Sequence, residues 1–274
     1  MRRFCLMICV GLCAVSLSAK VDYYELIDSV ETNIKEQKWD KAETFLMEVL
    51  RSYPDDNNNS LIISNLATVQ RYQGKYSEAI KNYSFAINMT PNATTLLKNR
   101  ASLYMDVDSV RKAFDDYDRV LMIDERDEES RYYHGILSMR LDDMETAKKD
   151  FDYILYFNPI SGLGKEGRGM WHMKQGNYIE AVSCFTEIIK IYPSSLLLSK
   201  RAECYLALKN LNAATDDIRL AIEMTPEDGY LYVIRAKLNK ARFNKTDAER
   251  DIKKAIECGL SKELVDYLIN AEKR

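Results

Sequence analysis

The stretch Tyr178-Ile179-Glu180-Ala181-Val182-Ser183-Cys184-Phe185-Thr186-Glu187-Ile188-Ile189-Lys190-Ile191-Tyr192-Pro193 reads as one amphipathic helix closed by a proline. Ala181, Phe185, Ile188 and Ile189 stand at offsets of 0, 4, 7 and 8, which trace one face of an α-helix. Pro193 cannot continue that helix and sets the turn that follows. The pattern then recurs along the chain. Ala42, Ala79, Ala113, Ala147, Ala181, Ala214 and Ala248 are separated by 37, 34, 34, 34, 33 and 34 residues. Four residues after them stand Leu46, Tyr83, Tyr117, Phe151, Phe185, Ile218 and Ile252. Pro54, Pro91, Pro159, Pro193 and Pro226 each fall twelve residues after an alanine, and they are all five prolines of the chain.

The other half of each period is a second helix with a small residue where two helices must approach closely: Ala67, Ala101, Gly135, Gly169, Ala202 and Ala236. A short turn, with Gly74 or Gly176 in two units, leads to a large residue just before the alanine, as at Trp39, Tyr76, Tyr178 and Leu211. The run Asp55-Asp56-Asn57-Asn58-Asn59 accounts for the one long spacing as a loop insertion. This unit resembles the tetratricopeptide repeat over about residues 23–262. The register gives units 23–56, 60–93, 94–127, 128–161, 162–195, 195–228 and 229–262. The last two depart by using isoleucine for the aromatic, and Leu260 replaces the final proline. The resemblance implies an all-α, right-handed superhelical solenoid of about seven helix–turn–helix repeats. Residues 261–274 are expected to form a capping helix, with Ser261 as N-cap and Leu264, Leu268 and Ala271 covering the last repeat.

Composition fits this reading. An apolar content of 46% excludes general disorder, and ten glycines in 274 residues exclude a collagenous chain. A net charge of −3 lacks the basic field that nucleic-acid binding requires. Many of the 18 tyrosines are expected between helices, with the phenol reaching water or a partner.

The N-terminus reads as an address. Arg2 and Arg3 precede the apolar run Phe4 to Leu17, and Ser16-Leu17-Ser18-Ala19 offers small residues for cleavage after Ser18 or Ala19. That makes residues 1–19 a signal peptide, the alternative being an uncleaved anchor. Leu12 before Cys13 is too large for a lipidation site. Export to a bacterial periplasm or cell envelope is expected, or to a secretory lumen in a eukaryote, where five Asn-x-Ser/Thr sites from Asn58 to Asn244 would matter. Cys184, Cys204 and Cys258 remain in the mature chain, an odd count that reads as small apolar residues, with one bridge still possible. No later apolar run has membrane length, so no stable insertion is expected after cleavage.

Three constellations invite a chemical reading. Arg100, Arg168, Arg201 and Arg235 share one place in the repeat, and Asp116, Asp217 and Asp251 stand sixteen residues beyond three of them. They are expected to pair across the two helices of a unit, leaving Arg168 without its partner because Cys184 takes that place. Gly162-Leu163-Gly164-Lys165-Glu166-Gly167 matches G-x-G-x-x-G with Glu187 beyond it, but a dinucleotide site needs a preceding strand and here a helix precedes. These glycines with Gly169 are expected to make a soft point in the chain. His134 and His172 fall at positions that pack between helices, so neither metal binding nor catalysis has candidate residues, and no cofactor is expected.

The resemblance further implies a concave surface lined by the first helix of each unit. Mapped onto this chain, Lys98, Ser102 and Met105 lie inside, followed by Tyr132, Ile136 and Met139. Glu166, Met170 and Met173 come next, then Ser199, Glu203 and Leu206. Such a surface suits a peptide or helix with apolar anchors. The lysine, asparagine and arginine set of the family's carboxylate clamp is not found, which speaks against capture of a chaperone's acidic C-terminus. The expected function is a non-enzymatic protein–protein interaction scaffold in envelope assembly. The alternative is a co-chaperone holding unfolded clients.

Overall fold

The computed structural model describes residues 22–270. The signal peptide read from residues 1–19, and residues 271–274 of the expected capping helix with Ala271, lie outside the described residues. Fifteen helices follow one another, with no strand among the described residues. They are α1 (Tyr23–Lys35), α2 (Trp39–Ser52), α3 (Asn59–Tyr72), α4 (Tyr76–Met89), α5 (Thr94–Asp106), α6 (Val110–Ile123), α7 (Glu128–Arg140) and α8 (Met144–Phe157). Then come α9 (Gly162–Lys174), α10 (Tyr178–Ile189), α11 (Ser195–Ala207), α12 (Leu211–Met224), α13 (Gly229–Ala241), α14 (Lys245–Glu257) and α15 (Lys262–Asn270).

The chain divides into two compact units, Met1–Leu96 and Leu97–Arg274. In the first, α1 packs on α2, α2 on α3 and α3 on α4, with the rings of Trp39 and Tyr72 stacked 4.6 Å apart. In the second, each helix from α6 to α15 packs on the next, and α7 also meets α9, α11 meets α13, and α13 meets α15. In this second unit, contacts that skip a helix place odd-numbered helices side by side on one face, with the even-numbered ones behind them. That inner face carries the candidate site.

The periodic alanine is buried in all seven hairpins, at 2% exposure or less. A larger side chain there would hold the paired helices apart. The aromatic at the next turn fills the space between hairpins. Phe151 is fully buried, and a Cβ added to Gly135 or Gly167 would come within 2.7 and 2.2 Å of its ring. In α9, Gly167 is thus a seat for Phe151 and Gly169 for Phe185, while Gly164 lies against Ile154 and Leu155. Ser161 caps the helix by accepting the Gly164 N–H at 2.8 Å, and α9 runs unbroken through the glycines expected to soften it.

Every hairpin turns through one residue of left-handed backbone, five positions before its alanine: Gln37, Gly74, Asp108, Asp142, Gly176, Lys209 and Phe243. Glycine adopts this conformation freely, whereas a side chain costs about 1–2 kcal/mol. Lys209 and Phe243, at φ 60°, accept that cost.

The expected arginine–aspartate pairs form. Arg100 Nε and Nη2 reach Asp116 Oδ2 and Oδ1 at 2.8 and 2.7 Å, and Arg201 holds Asp217 in the same fork at 2.7 Å. Arg235 donates to Asp251 Oδ1 at 2.6 Å, while Asn239 takes Oδ2 at 2.8 Å. Arg168, expected to lack a partner, instead pairs with Asp152 of α8 at 3.1 Å. Cys184 cannot accept its guanidinium, so the side chain turns to the preceding hairpin.

The end of the chain differs in register from expectation. Ser261 does cap α15, accepting the Leu264 N–H at 3.2 Å. The residue driven fully inward is Val265, with Leu268 and Ile269 beside it, while Leu264 is half-buried. The tyrosines also divide: Tyr83, Tyr104, Tyr117, Tyr132 and Tyr232 are buried between helices, whereas Tyr24, Tyr72, Tyr156, Tyr192 and Tyr267 stand in solvent. Cys184, Cys204 and Cys258 are free thiols, and burial pushes Cys204 up to about 12.

Candidate functional site

The inner face begins with residues that fasten hairpins to one another. Lys98 Nζ on α5 donates to Asp127 Oδ2 at 3.0 Å and Glu129 Oε2 at 3.1 Å, at the start of α7. Burial opposes the charge on Lys98, but these hydrogen bonds hold the ammonium above the usual lysine range. Burial likewise pushes the Asp127 carboxyl up, and the Ser130 N–H with Lys98 pulls it below its ordinary value. Ser102 and Met105 are half-buried, with Met105 Sδ 4.0 Å from the Tyr117 hydroxyl.

The next group lies deeper. Tyr132 is buried and donates from its hydroxyl to Glu166 Oε1 at 3.1 Å, with Met170 Sδ at 3.9 Å. Burial raises the Glu166 carboxyl against the opposing effect of the Tyr132 hydrogen bond, and the same burial, with Glu166 adjacent, pushes the Tyr132 phenol far up. Met139 is buried in this cluster, and Ile136 and Met170 pack against it. These side chains join α7 to α9.

Met173, Glu203 and Leu206 are placed differently. With Tyr178, Ala207 and Lys237 they line an open cleft of about 430 Å³. Ser199 and Glu203 continue into a smaller hollow of about 200 Å³ beside Lys200, Tyr230 and Leu268. Leu206 continues the other way into about 640 Å³ lined by Lys209, Leu211, Lys240, Ala241, Phe243 and Ile269. All three hollows share Lys237, so one depression follows α9, α11, α13 and α15. Its lining combines apolar side chains with four lysines and with Glu203 and Asp228, and Glu203 lies 3.5 Å from Lys200. Such a surface can bury apolar side chains and order charged ones around them.

The depression extends one unit beyond the residues expected from the sequence. The register that gives Ser199, Glu203 and Leu206 gives Val233, Lys237 and Lys240 when carried to the seventh unit, and all three line it. Lys209 and Phe243 carry no such signal, because their direction follows from the left-handed turns that hold them.

A tetratricopeptide repeat family model matches residues 167–195, from within α9 through α10 to the start of α11. A tetratricopeptide repeat protein of known structure from Parabacteroides merdae is 31% identical, with a TM-score of 0.80, over 92% of this chain and 99% of that one. Among curated proteins, a DnaJ homolog subfamily C member 7 homolog of Dictyostelium discoideum is 26% identical over 73% of this chain. Hsp70-Hsp90 organizing protein 2 of Arabidopsis thaliana is 26% identical over 62%. The chain spans 42% and 31% of the length of these two relatives.

Proposed function

The chain belongs to the tetratricopeptide repeat family, and on that footing we propose that it is a non-enzymatic interaction scaffold holding a partner peptide or helix in the depression along α9, α11 and α13. The observation that carries this reading is the cleft of about 430 Å³ in which Met173 and Leu206 border Tyr178 and Lys237. Apolar side chains around an open hollow are where a partner's anchor residues gain most from leaving water. The scaffold acts outside the cytoplasm, in a bacterial periplasm or cell envelope, and serves assembly there. The basic start, apolar run and small residues of positions 1–19 support export.

A second reading has its own support. Two relatives carry co-chaperone names, one of them an Hsp70-Hsp90 organizing protein, and a methionine- and leucine-lined groove adapts to many ligands. The protein then holds unfolded clients rather than one dedicated partner.

The test is an affinity capture from envelope fractions, with in-cell crosslinking, of the wild type and of Met173→Asp/Ala207→Asp. The scaffold reading expects one dominant partner, lost in the variant. Many unrelated partners, equally lost, favour the client-holding reading. A partner retained by the variant overturns the placement of the groove. N-terminal sequencing of the captured protein is expected to begin at Ala19 or Lys20, and an intact Met1 contradicts cleavage.

A further inference from the structure

The depression changes character toward the last hairpins. Around α9 its lining is Met173 and Tyr178, with Glu203 across from them. In the hollow beside Phe243 the lining is Lys209, Lys237 and Lys240 together with Leu211 and Ile269, without a carboxylate, whereas Asp228 and Glu203 line the hollow beside Tyr230. Lys209 and Lys240 are exposed and have no ion-pair partner among the described residues. The last hairpins thus gather positive charge around an apolar floor in a chain whose net charge is −3.

The hairpin turns point the same way. Five of the seven left-handed turn positions carry a residue other than glycine, and the two that border this end are Lys209 and Phe243, the latter the one aromatic among them. Phe243 is 93% exposed, so its ring repays the backbone strain with almost no burial in the chain itself. A ring held in solvent at a strained position, beside lysines without partners, is matched to something that covers it.

Building on the groove reading, we infer that the end of the depression bounded by Lys209, Lys240 and Phe243 receives the acidic end of an amphipathic partner segment. The apolar residues of that segment lie toward Met173 and Leu206. Its carboxylates are side chains placed beside an apolar residue that packs on Phe243, so a free C-terminus is not required. The orientation follows from charge, because the carboxylates of the depression, Glu203 and Asp228, line its other two hollows, whereas Lys209 and Lys240 line this end alone.

The test uses the mature chain and capped, C-amidated, fluorescein-labelled peptides in which leucines are followed by a run of glutamates, of glutamines or of lysines. Fluorescence anisotropy at low ionic strength is expected to rank glutamate above glutamine above lysine, with about five-fold or more between the first two, shrinking as salt is added. Lys209→Glu/Lys240→Glu is expected to reverse the ranking. Phe243→Gly is expected to weaken the glutamate peptide several-fold while raising the melting temperature, which separates lost contact from lost fold.

Equal affinity for glutamate and glutamine peptides, unchanged by the charge reversal, overturns this inference and leaves the groove reading standing. No binding of any peptide overturns both. Self-association that blocks the glutamate peptide and is lost in Phe243→Gly assigns the surface to a second copy and overturns the acidic partner.

Discussion

His134 occupies the place in its hairpin that Arg100, Arg201 and Arg235 occupy in theirs, and its Nδ1 lies 2.6 Å from Asp150 Oδ2, sixteen residues on. Arg131, one turn earlier, takes the other oxygen of Asp150 at 3.0 Å. The cross-helix pair of the fold is thus kept in the fourth hairpin with an imidazole and a displaced guanidinium. The two partners differ in what their removal strands. His134→Ala leaves Asp150 with Arg131 and is expected to cost about 1–2 kcal/mol. Asp150→Ala leaves the buried His134 without its partner and takes from the half-buried Arg131 its one carboxylate, and is expected to cost about 3 kcal/mol. Urea midpoints of the two variants check the order, and equal losses contradict it.

The arginines divide by the burial of their acceptors. Asp116 and Asp217 are buried, so Arg201→Ala strands Asp217 and Arg100→Ala leaves Asp116 only Arg119 at 3.9 Å, and each is expected to cost about 3 kcal/mol. Arg168 and Asp152 keep 39% and 36% exposure, so Arg168→Ala is expected to cost about 1 kcal/mol or less. Thermal melts of the three variants decide this, with Arg168→Ala closest to wild type.

Much of this arrangement is legible in the amino-acid sequence. The alanines, the residues four beyond them and the arginine–aspartate pairs depend only on positions within one repeat, and a repeat of constant length keeps those positions in register. His134 with Asp150 is legible by the same sixteen-residue spacing once histidine is weighed as a stand-in for arginine. The groove is less so. Tyr132 and Met173 both belong to the inner face, yet Tyr132 is covered by Glu166 and Met170 whereas Met173 borders open space. That difference depends on how closely neighbouring inner helices approach, which no single repeat encodes. The register of α15 is likewise set by the surface it covers, which selects Val265.

Gly167 tests the packing of the inner helices. Alanine gains about 1 kcal/mol of helix propensity over glycine. Its Cβ, however, meets the Phe151 ring at 2.2 Å, and overpacking of that kind costs about 1–3 kcal/mol. Gly167→Ala is therefore expected to lower stability, and Gly167→Ala/Phe151→Leu to recover part of the loss. A Gly167→Ala variant more stable than wild type would show that the ring moves aside freely.

Glu166 gives a pH signature. Burial raises its carboxyl above the usual range, so the folded chain holds that proton more tightly than the unfolded one. The group contributes nothing below its unfolded value and becomes destabilising as pH rises through the folded one. Glu166→Gln keeps an acceptor for the Tyr132 hydroxyl and removes the buried charge. It is expected to melt above wild type at neutral pH, with the gap closing below the ordinary glutamate range of about 4.3. A gap that persists unchanged in acid contradicts the sign.

The central claim is that the inner face of α9, α11 and α13 is where a partner binds. Its most direct measurement places a photo-crosslinking amino acid at Ala207, which lines the cleft, and at Lys149, on the opposed outer face of α8, with irradiation in intact cells. The expected result is a discrete adduct from Ala207 and none from Lys149. Adducts from Lys149 alone, or the same adduct from both positions, would contradict it.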